Sequence, residues 1–356
     1  MLAFTDHDSD STALNRRESL LHYLEHPLVP PEPLGTNPTA AERAAYNAQR
    51  MDYLSGGIVL TTKTVIEGRL LLTNAFQENR ARNSGHAGVM LSGDSSLGKT
   101  TTAKRLMRWV LGEYAKQFPH WRAMEHVPVM YVEVGSNSTG KALLKEMADF
   151  FGLAVRDRDS MADLRSKVVN AIRRAHTQLI VVDELHNLTA GHAVGLGETV
   201  DLLKGLHNDI AATFLYCGID VTDSSLMNGA RGQQLKRRFS VLELTRYEWS
   251  NTEHRKEWKS LIKSFEDQLQ LRDHPVGMYK QEAEHFWQRT GGSIGSLSKL
   301  LTGPAINLIQ NGAPVEMLDR SVLDRYKLDL AAENHYKGFR DLKANAGKTA
   351  MERALS

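Results

Sequence analysis

A glycine-rich segment near position 95 has the residue types best suited to chemistry. It consists of Gly93, Asp94, Ser95, Ser96, Leu97, Gly98, Lys99, Thr100 and Thr101. The first eight match the pattern G-x-x-x-x-G-K-[ST] at every fixed position. Glycines let backbone N–H groups turn toward phosphate oxygens, Lys99 supplies a cation for the β- and γ-phosphates, and the Thr100 hydroxyl is suited to ligate Mg²⁺. A simple glycine turn between a strand and a helix is the alternative interpretation. The pattern predicts a binding loop for the phosphates of ATP.

Two adjacent carboxylates, Asp183 and Glu184, follow an apolar run further along the chain. In a nucleotide site, the first would hold Mg²⁺ through water and the second would orient and deprotonate the attacking water. A buried strand with an acidic end is also common in α/β proteins without catalysis. Because a phosphate loop precedes this run with one strand between, we predict that Asp183 is a metal ligand and Glu184 the catalytic base. His186 is more typical of packing or hydrogen bonding.

Short apolar runs alternate with amphipathic segments from His86 onward, as in a βαβ series. The strand candidates are Ala87–Ser92, Val127–Val134, Gln178–Asp183, Ala212–Gly218 and Val241–Thr245. Helices between them should begin near Lys99, Lys141, Met161 and Glu198, with Ser160 and Asp163 as a capping pair for the third. The pattern predicts a five-stranded parallel sheet covered on both faces.

Helical patterns flank this α/β region. Before it lie a short helix over Asn15–Glu25, a proline-rich connector, a helix opened by the capping box of Thr39 and Glu42 and ending near Leu54, and a helix over 65–76. After it, helices are predicted at Thr252–Leu271, Tyr279–Thr290, Ile294–Gln310 and Val315–Asp329. The predicted domains are an appendage at 1–38, a nucleotide-binding domain at 39–248, a helical lid at 249–329 and a basic tail at 330–356. That tail carries Lys337, Arg340, Lys343, Lys348 and Arg353.

Bulk composition excludes several classes of protein. The net charge is only +2 over 356 residues, so any nucleic-acid surface must be a local feature. A single cysteine, Cys217, excludes an internal disulfide framework and fits a reducing cytoplasm. The acidic start lacks the apolar core of a secretory signal, and no apolar run approaches membrane-spanning length. We therefore expect a cytoplasmic protein without a membrane partner.

Five segments together resemble the TniB/TnsC-type AAA+ ATPases of DNA transposition systems. They are YLSGGIVLTTKTV, GDSSLGKTT, LIVVDELHN, QLKRRF and TGGSIGSLSKLL, and the resemblance covers roughly residues 40–312. It implies an AAA+ α/β domain followed by a helical lid, with ATP and Mg²⁺ as cofactors. It also implies an ATPase that oligomerises as a ring or filament on double-stranded DNA and connects a TniQ-like target-selection protein with a DDE transposase.

The resemblance also suggests a role for one arginine of a basic cluster. Arg231, Lys236, Arg237 and Arg238 lie just before the last strand candidate. An arginine placed here can reach the γ-phosphate bound by a neighbouring subunit and stabilise charge in the transition state. The family's "RF" pair favours Arg238 over Arg237. The alternative is a solvated basic end of a helix.

Two positions depart from the class. Cys217 occupies the strand position where a polar sensor of the γ-phosphate is usual, and a buried thiol is the simpler interpretation. Gly295 stands where many AAA+ lids carry a second-sensor arginine, and its neighbours supply no substitute. These departures predict slow hydrolysis, with ATP acting chiefly as an assembly switch.

A polar loop after the second strand is the predicted DNA contact. Related ATPases place a loop facing the DNA channel here, and Lys141 with Ser138 or Thr139 would contact phosphate. A helix cap beside a solvated lysine is equally compatible with the sequence.

Three other functions stay open. A signalling or defence ATPase would be a protein-interaction switch without DNA, but it would commonly carry long repeats after the lid. A replication initiator or helicase loader would commonly append a winged-helix domain, for which the residues beyond Asp329 are too few. A non-catalytic nucleotide-binding scaffold is compatible with both unusual sensor positions.

Overall fold

The short apolar runs form one parallel sheet, as predicted. The structure is a computed structural model that describes residues 13–188, 193–224 and 226–341. Its strands are β1 (Gly88–Ser92), β2 (Val129–Glu133), β3 (Leu179–Asp183), β4 (Thr213–Gly218) and β5 (Phe239–Glu243). They lie in the order β2-β3-β4-β1-β5, and every neighbouring pair is parallel. The three central strands are buried throughout, which accounts for their Val-, Leu- and Ile-rich composition.

The bounds of β5 differ from the predicted Val241–Thr245. Gly88 of β1 pairs with Phe239 and Ser92 pairs with Glu243, so β5 begins two residues earlier. Only Leu242 is fully buried in this edge strand. The predicted start of β5 was wrong because an edge strand has a weak apolar pattern. Its register is determined instead by pairing with β1.

The chain divides into two units, each assembled from separate stretches of sequence. The first unit takes the described residues of Met1–Pro27, Lys63–Ser95 and Lys99–Leu244. The second takes those of Leu28–Thr62, Ser96–Gly98 and Thr245–Ser356. The predicted domain boundaries at 38, 248 and 329 stay predictions.

The first unit adds seven helices to the sheet within its described residues. They are α1 (Arg17–Glu25), α3 (Lys63–Asn79), α4 (Lys99–Gln117), α5 (Gly140–Phe150), α6 (Met161–Arg174), α7 (Ala193–Asp209) and α8 (Gly229–Lys236). The predicted capping box at Ser160 and Asp163 is present at the start of α6. Helix α1 packs against α4, burying its leucines, and Arg108 of α4 donates to the carbonyl oxygens of Tyr23 and Leu24.

The second unit is helical in its described residues. Its helices are α2 (Ala40–Asp52), α9 (Thr252–Glu266), α10 (Ala283–Thr290), α11 (Ile294–Gln310) and α12 (Arg320–Arg325), with a π-helical turn at Tyr53–Gly57 after α2. The capping box of Thr39 and Glu42 is present, and α11 has the predicted bounds.

The predicted helix at Val315–Asp329 is wrong in length. Only Arg320–Arg325 is helical there, because Asp319 caps the amide of Val322 and the chain is extended again at Tyr326. A further helix covers 330–341, which the weak apolar spacing of the tail does not predict. The predicted basic residues Lys343, Lys348 and Arg353 lie outside the described residues.

A buried ion pair lies within the second unit beside its apolar core. The Arg50 guanidinium of α2 donates to both carboxylate oxygens of Glu316, at 2.6 and 3.0 Å. Arg272 donates to the same carboxylate from its side chain at 2.8 Å and from its backbone N–H at 3.2 Å. Both Arg50 and Glu316 have side chains only 1% exposed. The early helix α2 is therefore held to the segment that follows α11.

Candidate nucleotide site

The predicted phosphate loop joins the end of β1 to the start of α4. Gly93 has φ 152° and Gly98 has φ 85°, conformations that side chains rarely adopt. A Cβ atom on Gly93 would lie 2.4 Å from the carbonyl oxygen of Leu244. Both fixed glycines of the motif are thus required by the backbone path. Helix α4 begins at Lys99, so its unpaired N–H groups lie at the loop.

Lys99 is buried, and no carboxylate among the described residues contacts its ammonium. Its side chain bonds to the carbonyl oxygens of Gly93 and Asp94, each at 2.7 Å, and the residue is 7% exposed. A buried ammonium with only neutral acceptors retains an uncompensated charge, and an anion entering the loop would offset it. The geometry fits a phosphate group.

The Thr100 hydroxyl and the Asp183 carboxylate, which the sequence assigns to one metal ion, lie together. Thr100 Oγ1 donates to Asp183 Oδ2 at 2.8 Å. The Tyr131 hydroxyl donates to the same oxygen at 3.1 Å, and the backbone N–H of Glu184 donates to Oδ1 at 2.9 Å. Asp183 is 1% exposed and ends β3. A hydroxyl beside a buried carboxylate is an oxygen donor set that suits Mg²⁺.

Tyr131 is the residue that sequence reasoning missed at this site. Burial, followed by the negative charge of Asp183, raises the pKa of Tyr131 well above its ordinary value. The hydroxyl therefore stays a donor to the carboxylate. A tyrosine inside an otherwise aliphatic strand was the available signal, because a buried phenol needs a hydrogen-bond partner.

Glu184 is close to His186 rather than to a lysine or arginine. Glu184 has φ 55°, and its Oε2 lies 3.2 Å from Nδ1 of His186. The same Nδ1 also lies 3.2 Å from the backbone nitrogen of Ile219, which donates to it. One nitrogen cannot accept from Ile219 and donate to Glu184 at once. His186 Nδ1 thus lies between the candidate base and the residue that follows β4, and it can form a hydrogen bond with only one of them at a time.

The sensor position on β4 holds a buried thiol. Cys217 is fully buried, and that burial raises the pKa of its thiol well above the ordinary value. A neutral, buried thiol is a weak donor, so it supplies no strong hydrogen bond to a phosphate.

Gly295 makes a backbone contact within the second unit, to which Ser96–Gly98 also belongs. Its N–H donates to the carbonyl oxygen of Ser96 at 2.9 Å, and the Ser293 hydroxyl donates to the same oxygen at 3.0 Å. A Cβ atom on Gly295 would lie 2.6 Å from that oxygen. Position 295 therefore requires a glycine, because its backbone approaches the backbone of Ser96 closely.

The basic cluster before β5 is not part of the protomer's own phosphate site. Arg238 immediately precedes β5, at the amino ends of the parallel strands, whereas Lys99 and Asp183 lie at their carboxyl ends. Arg238 is half-buried, and its Nη1 donates to Asn208 Oδ1 at 3.1 Å. Arg237 is exposed, and its side chain has no hydrogen bond or ion pair among the described residues. Any phosphate contact by either arginine would have to be made to another protomer.

The other two members of the cluster have partners within the unit. Arg231 forms an exposed ion pair with Asp201 at 2.8 Å, and Lys236 donates to the carbonyl oxygen of Thr222 at 3.0 Å. These contacts leave Arg237 and Arg238 as the candidates for a contact in trans.

The predicted DNA loop follows β2 and caps α5. Thr139 is the N-cap, and its hydroxyl accepts from the N–H of Ala142 at 3.3 Å. The N–H of Ser138 donates to the carbonyl oxygen of Asn187 at 3.1 Å. Lys141 is half-buried on the first turn of α5 and has no ion pair in the described part of the chain. The capping role is thus real, and the Lys141 ammonium is still available to an external anion.

Comparison with solved structures defines the class. The chain has the fold of the AAA+ P-loop ATPases. Similar structures are the Aeropyrum pernix ORC1 protein in complex with DNA (TM-score 0.53, 14% identity, covering 77% of this chain and 66% of that one) and the Aeropyrum pernix ORC2 protein with ADPNP and ADP (TM-score 0.52, 18% identity, 72% and 65%). CDC6p from Pyrobaculum aerophilum is also similar (TM-score 0.51, 13% identity, 73% and 66%). The chain thus spans just under two thirds of the length of these proteins, and the identities show the fold alone.

A match to a protein-family model identifies the family of this chain. The chain belongs to the bacterial TniB protein family, whose model matches residues 64–249. The predicted resemblance to the TniB family is confirmed. No curated protein matches the chain. Among the described residues, no helix is both long and apolar enough to cross a membrane.

Proposed function

We propose that this protein binds Mg²⁺ and ATP at residues 93–101 and Asp183, and hydrolyses ATP slowly. The observation that carries the proposal is the buried Lys99 ammonium beside the Thr100–Asp183 pair. Its only partners in the described part of the chain are two carbonyl oxygens. Loop amides and Lys99 bind and orient the phosphates, while Thr100 and Asp183 hold the metal. When bound, Mg²⁺ neutralises charge on the phosphate oxygens.

Glu184 is the proposed base that orients water and accepts its proton. His186 Nδ1 lies 3.2 Å from the Glu184 carboxylate, and we expect this contact to restrain the base. Cys217 supplies no strong donor to the γ-phosphate, so we expect slow turnover. Replacing Glu184 with glutamine should leave ATP binding intact and abolish most turnover, whereas equal turnover would exclude Glu184 as the base.

ATP acts chiefly as an assembly signal in this proposal. Arg238 of one protomer contacts the γ-phosphate bound by the next, through guanidinium N–H groups that do not donate to Asn208. A guanidinium gives several directed hydrogen bonds to phosphate, so ATP favours the oligomer and ADP loosens it. The protein then forms a ring or filament on double-stranded DNA through Lys141 and Thr139. It connects a TniQ-like target-selection protein to a DDE transposase in the cytoplasm.

Light scattering with ATP and DNA tests the assembly step. Arg238→Ala should leave ATP binding to the isolated protomer nearly unchanged and should impair assembly and DNA-stimulated hydrolysis. Arg237→Ala is the matched control, with the same charge change at the adjacent position, and should be milder. Because Arg237 is the exposed member, the reverse result would assign the trans contact to Arg237 instead. If both variants assemble like the parent, the interfacial site is refuted.

A switch that works without DNA is the second candidate function. The observation that favours it is the deviation of both sensor positions, Cys217 and Gly295, which suits nucleotide binding without rapid turnover. Negative-stain imaging with ATP, ADP and no nucleotide separates the two functions. DNA-dependent rings or filaments support the transposition regulator, and nucleotide-dependent assembly indifferent to DNA supports the protein-interaction switch.

A further inference from the structure

Three arginines lie together on helices α3 and α4 of the first unit, around a tryptophan. We name Arg69, Arg105, Arg108 and Trp109 the basic patch. The guanidinium carbon of Arg69 lies 5.8 Å from the centre of the Trp109 ring. The positive charges of Arg69 and Arg108 both lower the pKa of Arg105, after the larger effect of its burial. The three charges are therefore close enough to repel one another.

Arg69 and Arg105 have no acidic partner within residues 13–188, 193–224 and 226–341. In the part of the chain that the structure describes, neither guanidinium has a hydrogen bond or an ion pair, and the Nε atom of each is buried without an acceptor. Arg108 donates to the neutral carbonyl oxygens of Tyr23 and Leu24, at 2.9 and 3.1 Å, and lies over the Tyr23 ring, and it has no carboxylate partner among the residues described. These contacts fix the guanidinium of Arg108 in place but leave its charge uncompensated.

Three other arginines of the same unit are paired with carboxylates. These pairs are Arg82 with Glu78 at 3.0 Å, Arg165 with Asp209 at 2.6 Å, and Arg231 with Asp201 at 2.8 Å. Half-buried like charges without counter-ions cost free energy, which an external anion would offset. Rigid guanidinium groups present paired N–H donors that match the oxygens of phosphate.

We propose that the basic patch binds the phosphate backbone of double-stranded DNA, as a second contact besides the loop of Lys141. This inference rests on the proposed DNA binding and adds a surface to it. DNA supplies closely and regularly spaced negative charges, so it can neutralise several adjacent arginines at once. Trp109 is half-buried beside Arg69 and offers an apolar surface to a sugar.

An acidic protein segment is the competing occupant. Ile66 and Leu70, each 59% exposed on neighbouring turns of α3, lie near Arg69 in sequence and would suit a protein. A protein would have to supply a carboxylate for each unpaired guanidinium, whereas DNA supplies these charges in any sequence. The observed charges therefore favour DNA, and the experiment separates the two.

The test measures how DNA binding depends on salt. Binding of a labelled duplex of about 30 base pairs to the full chain with ATP is followed by fluorescence anisotropy between about 50 and 200 mM salt. Each phosphate contact contributes about 0.9 to the slope of log K against log salt, so Arg69→Ala/Arg105→Ala should lower the slope by about 1.8. Arg69→Lys/Arg105→Lys keeps both charges and should keep most of the slope.

The matched control removes two paired arginines from the same unit. Arg82→Ala/Arg165→Ala changes net charge equally but should leave the slope near that of the parent, because those charges are compensated internally. Unchanged ATP turnover without DNA shows that each variant is folded. A parental slope in Arg69→Ala/Arg105→Ala would overturn the inference and leave an acidic protein as the occupant. If the parent itself binds no DNA, the proposed function and the patch inference both fail, whereas a parental slope in the double variant overturns the patch inference alone.

Discussion

Replacing Glu316 with glutamine should strongly destabilise the second unit. The substitution keeps the shape of the side chain and removes its charge, which leaves Arg50 buried with no carboxylate. Glu316 accepts two hydrogen bonds from Arg50 and two from Arg272, and both Glu316 and Arg50 are 1% exposed. Breaking a buried ion pair by removing one partner costs about 3–5 kcal/mol. That is a large share of the roughly 5–15 kcal/mol that stabilises a typical domain.

Urea unfolding followed by tryptophan fluorescence measures this loss. Trp258 is fully buried in the apolar core of the same unit and reports its unfolding. The control is Asp201→Asn, which breaks the exposed ion pair of Asp201 with Arg231. The side chain of Asp201 is 52% exposed and that of Arg231 is 63% exposed. It should cost only about 0–1 kcal/mol because water already solvates both charges.

A second arm of this experiment varies pH. Burial raises the pKa of Glu316, but hydrogen bonds from Arg50 and Arg272 outweigh it and hold the pKa below its ordinary value. The stabilisation is therefore fully present above the unfolded-state pKa and is lost as pH falls through the native one. Glu316→Gln should lack this part of the acid dependence. The reasoning would be refuted if Glu316→Gln and Asp201→Asn lowered the free energy of unfolding equally and showed the same dependence of stability on pH under acidic conditions.

Three further predictions concern the candidate sites. Lys99→Ala should abolish measurable ATP binding in calorimetry, because it removes the cation for the phosphates; affinity like that of the parent would exclude the loop. His186→Asn should raise the basal turnover number and weaken its stimulation by DNA, because Glu184 loses the group 3.2 Å away that restrains it. Turnover like that of the parent would leave His186 a packing residue. Lys141→Ala should weaken DNA binding similarly for all sequences and lower the salt slope by about 0.9, and an unchanged slope would place Lys141 off the DNA.

The sequence alone determined the parts of the protein that depend on local backbone chemistry. The phosphate loop is a contiguous motif whose glycines must adopt unusual φ values. Eight consecutive residues were therefore enough to predict its position between β1 and α4. The central strands and α11 were predictable for a similar reason, because their burial requires apolar runs of the matching period. The TniB resemblance came from the same contiguous segments.

Tertiary structure decided what depends on residues far apart in the chain. The sequence spacing does not predict that Tyr131 contacts Asp183, because the order of strands in the sheet brings these two residues together. Nor does it predict the pair of Arg50 and Glu316, which are distant in sequence and meet only in the folded second unit. The start of β5 was misplaced because an edge strand has a weak apolar pattern, and pairing with Gly88 determined it. Likewise, the net charge of +2 does not predict the basic patch. Whether an arginine is neutralised depends on whether the fold places a carboxylate beside it.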